Sequence, residues 1–134
     1  MTDLEYVKNK LYETKASIVV LYKDGTCREY YNKRIIDIKN ILTENKNALR
    51  DAIIADKVIG KLAASILTHA GVKEIYADII SSYAIPVLES NNVRYEYKLK
   101  TEYIQNNEKT GMCPMENKYK DETDISKIFN DIIN

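Results

Sequence analysis

Apolar positions along the chain switch between helical and strand spacing, and the switches mark out the elements. Leu4, Val7 and Leu11 recur at three- and four-residue steps behind Thr2 or Asp3, either of which can cap, so a first helix is expected over residues 3–13. Ile18, Val19, Val20, Leu21 and Tyr22 then form a β-branched and aromatic run. Asp24-Gly25 is a hairpin signal, and residues 26–32 return as a second strand. Ile35, Ile38, Ile41 and Leu42 stripe one side of a helix expected over 34–49. Residues 51–55, DAIIA, read as a short buried strand. Immediately after it, Val58, Ile59, Leu62, Ala63, Ile66, Leu67 and Ala70 draw the clearest amphipathic helix of the chain, with Asp56 as its N-cap and Gly71 just past its end. Residues 72–80 read as another buried strand. A short helix over 81–92 is capped by Ser81 or Ser82 and carries Pro86 in its first turn. Residues 93–99 alternate as a strand, 101–122 are polar and irregular with a turn at Thr110-Gly111, and 124–134 close the chain as a helix.

Helices alternating with strands argue for a sheet with helices on its faces. An opening hairpin followed by βαβ units makes that sheet mixed, so the expectation is an α/β domain spanning residues 1–134.

Composition narrows the function classes. Twenty basic and twenty acidic residues leave no net charge, so nothing drives the whole molecule toward nucleic acid or an anionic membrane. No apolar run approaches the ~20 residues that span a bilayer. The first ten residues, MTDLEYVKNK, carry charges where a leader would be apolar, and a cytoplasmic location is expected. Two cysteines do not make a disulfide framework, so Cys27 and Cys113 are expected as free thiols. Eleven Tyr against one Phe and no Trp suggest rings that bury a face and leave the hydroxyl wet.

Chemistry concentrates in two places. In open α/β sheets ligands bind beyond the carboxyl ends of the strands. If the long helix opens at Asp56, the amides of Lys57, Val58 and Ile59 lack intrahelical partners and can hold an anion or a polarised oxygen. Lys57 adds a cation, and Gly60 leaves room for close approach. The plain alternative is that Asp56 only caps, Lys57 is only solvated and Gly60 only eases packing. The second place is Gly111-Met112-Cys113-Pro114-Met115-Glu116. No second thiolate lies at ligand spacing, which argues against metal. Cys113 reads either as a nucleophile activated by Lys57 at the helix start, or as packing together with Met112. His69, near the end of its helix, reads as structural. The basic residues form no stripe interleaved with aromatics, though Tyr103 could stack on a nucleobase.

The segment ADKVIGKLAASILTHAGVKEIYADIIS, followed later by TGMCPMEN, resembles a prokaryotic family known as a domain of unknown function, over roughly residues 17–117. That family is placed in the cytidine deaminase-like superfamily, so the resemblance implies a three-layer α/β/α sandwich. It does not carry zinc chemistry across. Zinc deaminases place a His or Cys and then a Glu at the start of one core helix and a Pro-Cys-x-x-Cys at the next. Here the corresponding positions hold Asp56-Lys57-Val58 and Ser81-Ser82-Tyr83. The expectation is therefore a pocket without metal or cofactor. In it, Asp56, Lys57 and Cys113 carry any chemistry, and Val58, Gly60, Tyr103, Gly111 and Met112 contact a nucleoside- or nucleotide-like small molecule. The rival expectations are a non-catalytic interaction module on the same scaffold and a degenerate metallo-deaminase. An apolar sheet edge or helix face could also support a homodimer.

Overall fold

Helix α1 (Asp3–Thr14) leads into the hairpin of β1 (Ile18–Leu21) and β2 (Cys27–Tyr30). The chain continues through α2 (Ile36–Glu44), β3 (Ile53–Ile59), α3 (Lys61–His69), β4 (Glu74–Ser81), α4 (Ile85–Ser90) and β5 (Arg94–Thr101), and ends in α5 (Pro114–Tyr119) and α6 (Ile125–Ile133). This is a computed structural model that describes residues 1–33 and 35–133. Arg34, where the second helix was expected to start, and Asn134, where the last was expected to end, lie outside the described residues.

The five strands form one mixed sheet in the order β2-β1-β3-β4-β5. β1 is antiparallel to both β2 and β3, while β3, β4 and β5 are parallel. Helices cover both faces. On one, Leu4, Val7 and Leu11 of α1 pack on Val19, Ile53, Ala55 and Tyr76. On the other, Ile38 and Leu42 of α2, the apolar stripe of α3, Val87 and Leu88 of α4, and Ile128 and Phe129 of α6 build the larger core over Val20, Ile54, Ile75 and Ile80.

Local signals explain most boundaries. Thr2 caps α1 by accepting from the Glu5 amide at 3.1 Å. The β1–β2 turn closes with the Tyr22 amide on the Thr26 carbonyl at 2.8 Å and Gly25 at φ +93°, a conformation glycine adopts without a Cβ penalty. Gly71, at φ +89°, follows the end of α3. Pro86 sits in the first turn of α4, where a missing amide costs nothing.

Three expectations are corrected. The strand expected to stop at Ala55 runs on to Ile59, because Val58 and Ile59 pair with Ile79 and Ile80 of β4, so α3 opens at Lys61 and not at Asp56. Ser81 and Ser82 do not cap α4: Ser81 ends β4, and the Ser82 hydroxyl donates to the Glu102 carbonyl at 2.5 Å. The stretch 101–122 is not irregular. It holds a small hairpin with Gln105 opposite Met112, and then α5. Two tyrosine pairs also share a hydrogen bond between their hydroxyls, Tyr22 with Tyr30 at 2.5 Å and Tyr12 with Tyr76 at 2.6 Å.

Candidate functional site

The parallel strands end together at Ile59, Ser81 and Thr101, and the chain beyond β5 folds back over that end. Two contacts shape the returning hairpin: the Cys113 amide donates to the Ile104 carbonyl at 2.7 Å, and the Asn106 amide to the Gly111 carbonyl at 2.9 Å. The Asn106 side chain closes the turn, accepting from the Thr110 amide at 3.0 Å. Beneath this flap lies a cavity of about 860 Å³. Asp56, Lys57 and Val58 of β3, residues 104–109 of the flap, and Cys113 to Glu116 line it, with Lys33 and Ile35 entering from the segment before α2.

Asp56 is the unusual group. Its residue is 7% exposed, and its carboxyl accepts from the Val58 amide at 3.2 Å. Burial pushes it from the ordinary 3.8 up to about 8, and the charge of Asp37 pushes the same way, against the pull of the Val58 and Lys57 amides. At neutral pH it is therefore mostly a neutral carboxylic acid, able to donate one hydrogen bond and accept another. Asp37, itself buried in the first turn of α2, accepts from the Asn32 backbone at 3.0 Å and from its side chain at 2.7 Å.

Glu116 locks the cavity's wall. Its residue is 2% exposed. One carboxylate oxygen accepts from the Lys61 amide at 2.5 Å and the Ser81 hydroxyl at 3.0 Å, while the other accepts from the Ile104 amide. Lys61 is the first residue of α3, so Glu116 fills the anion-favouring end of that helix from within the chain. Gly60 makes the fit possible: a Cβ there would stand 2.7 Å from the Ile104 side chain and 2.8 Å from a Glu116 oxygen. The Lys61 side chain turns toward α5 and donates to the Lys120 carbonyl at 3.3 Å. Its burial lowers the ammonium pKa, partly offset by Asp121, Glu122 and Glu116.

The residues singled out in the sequence fall into two groups. Asp56, Lys57, Val58, Gly60 and Cys113 all line the one cavity, whereas Tyr103, Gly111 and Met112 do not. The latter belong to the flap's framework: the Tyr103 carbonyl accepts from the Thr101 hydroxyl at 3.1 Å, and Met112 bridges to Gln105. The amides expected to form a helix N-terminus are already engaged. That of Lys57 donates to the Ser17 carbonyl at 3.0 Å, and that of Val58 to Asp56. Asp56 is thus a strand residue with a short-range carboxyl–amide bond, not an N-cap. Cys113 is buried and stands just before α5. Among the described residues, no group of three or more His, Cys, Asp or Glu side chains is placed to hold a metal ion, and no helix is long and apolar enough to cross a membrane.

Sequence reasoning missed Glu116, Asp37 and Lys33. A signal for the first existed: Cys-Pro-Met-Glu puts a proline where a helix opens and an acid in its first turn. What that acid would cap, 55 residues away, had no local trace.

The sheet and the crevice at its carboxyl ends define a mixed α/β protein with its candidate site where such folds place one. The chain matches, over residues 6–134, the family described as "TM1506: Domain of unknown function (DUF1893)", and it belongs to that family. It is similar to a solved structure, that of the DUF1893 family protein TM1506 from Thermotoga maritima, with a TM-score of 0.86 at 21% identity, covering 97% of this chain and 87% of that one. At that identity the likeness shows the fold. No curated protein matches the chain.

Proposed function

We propose that the cavity binds a small planar heterocycle of the nucleoside class, with Asp56 as the group that reads it and no zinc in the site. The observation that carries this is a buried carboxyl lining a small-molecule-sized cavity, where burial favours its protonated form. A carboxylic acid presents a donor and an acceptor side by side, which matches the adjacent N–H and C=O, or N–H and N, on the edge of an amide- or amidine-containing ring. Ile35, Val58, Leu62, Ala63, Ile104 and Met115 offer apolar surface to the ring's faces. The volume lies within the ~300–1,000 Å³ of ordinary ligand sites. Helices on both faces of the mixed sheet support the finer assignment to a cytidine deaminase-like architecture.

Ligand-observed NMR with the four common ribonucleosides tests this reading. At least one is expected to bind at pH 7 and to weaken as the pH passes about 8, where Asp56 loses its donor. Asp56→Leu should reduce that affinity about tenfold or more, the scale of leaving a ligand's polar edge unpaired. Binding indifferent to Asp56→Leu contradicts the reading. Failure of all four to bind favours an interaction module on the same scaffold.

A second reading, reaction through Cys113, is favoured by one observation: its residue lines the same cavity as Asp56. Alkylation of Cys113 by iodoacetamide in the native protein should then be fast at neutral pH and slowed by a bound nucleoside. A thiol inert until the protein unfolds removes it as a nucleophile and leaves it a packing residue.

A further inference from the structure

The charges round the cavity are unevenly disposed. Three lysines line it, each from a different segment: Lys33 before α2, Lys57 on β3 and Lys109 at the flap turn. All three are exposed, and among the described residues none takes part in an ion pair. The acids facing them are Glu108, Asp56 and Glu116. Both oxygens of Glu116 accept from within the chain, from the Lys61 and Ile104 backbone amides and the Ser81 hydroxyl, so its charge sits buried in the wall and still counts against the three cations. Asp56 is held largely neutral below about pH 8. Glu108 is thus the one exposed carboxylate among the lining acids. A chain with no net charge has gathered a local excess of cations at this opening. Field lines from such a mouth, backed by the apolar wall behind it, favour an anion.

We infer that the ligand carries a phosphate, so that a nucleoside monophosphate is the class the cavity takes: the base lies against the apolar wall beside Asp56 and the phosphate at Lys33, Lys57 and Lys109. This inference rests on the reading of the cavity as a heterocycle site and adds the anionic end. Lysine suits that role as a mobile point charge that follows a tetrahedral anion without a fixed fork geometry. Lys109 belongs to the flap and Lys33 to the segment before α2, so a phosphate bridging them would also tie the flap down.

The experiment is calorimetric titration of the full chain with the four ribonucleosides, their 5′-monophosphates and inorganic phosphate, each at low and high salt. At least one monophosphate is expected to bind about tenfold or more tighter than its own nucleoside, and added salt should shrink that gap. The triple variant Lys33→Gln, Lys57→Gln, Lys109→Gln should bring the monophosphate down to the nucleoside's affinity, with circular dichroism verifying that it folds. Monophosphates binding no tighter than nucleosides overturn the phosphate inference and leave the heterocycle reading standing. Inorganic phosphate binding through the lysines, with no gain from any attached nucleoside, overturns the heterocycle reading and leaves only an anion site. Silence from every probe overturns both.

Discussion

Asp56 pays for its position. Moving a carboxyl from water to the inner wall of a cavity disfavours its charged form, and the protein responds by retaining the proton. The sign of the consequence follows from linkage. Between the ordinary 3.8 and about 8, the folded chain holds a proton that the unfolded chain has released. The contribution to stability is therefore full below about pH 4, declines by up to about 1.4 kcal/mol per pH unit as the pH rises, and levels off above about pH 8. Asp56→Asn keeps an acceptor for the Val58 amide and removes the titration. It should be nearly neutral at pH 4 and increasingly stabilising as the pH rises, reaching about 5 kcal/mol at pH 8 by the same linkage. Urea unfolding of both proteins across that range checks this; parallel pH profiles contradict it. A residue that costs stability where it stands is a mark of a site kept for binding or chemistry.

At the scale of elements, the Gly60 segment and the Cys113–Glu116 segment are two halves of one lock. The β3–α3 junction supplies the Lys61 amide and the space at Gly60, β4 supplies the Ser81 hydroxyl, the flap supplies the Ile104 amide, and α5 delivers the carboxylate that joins them. Glu116→Ala strands these donors and should cost about 3 kcal/mol in urea unfolding, as for breaking one side of a buried charged network. Gly60→Ala forces the Ile104 and Glu116 side chains to move and should cost about 1–3 kcal/mol. Because both changes act on the same atoms, the double variant should lose less than the sum, with a coupling of about 1 kcal/mol. Strict additivity would show that Gly60 is crowded by Ile104 alone. In Glu116→Gln, amide exchange at Ile104 should quicken ahead of the core strands, since the flap depends on that bond while the sheet does not.

At the scale of the whole molecule, local grammar was readable and long-range satisfaction was not. The Asp24-Gly25 turn, the Thr2 cap, Gly71 and the α6 stripe state their structure within a few residues. The β3–α3 boundary misleads because Val58 and Ile59 satisfy a helical stripe and a buried strand equally well, and pairing with Ile79 and Ile80 decides for the strand. α5 hides in a polar tract because only Glu116 and Tyr119 of its residues are buried. The gathering of Asp56, Lys57 and Cys113 at one cavity follows from the sheet rule together with a late segment that returns over the strands' ends. The internal anion at α3 does not, since its partners are two backbone amides and a serine far apart in the chain. The function proposed for the cavity requires Asp56 to carry a proton inside it. Carbon-detected NMR of its side-chain carboxyl through a pH titration tests this most directly. A midpoint near 8 is the result expected; a midpoint in the ordinary carboxylate range, about 4, would contradict it.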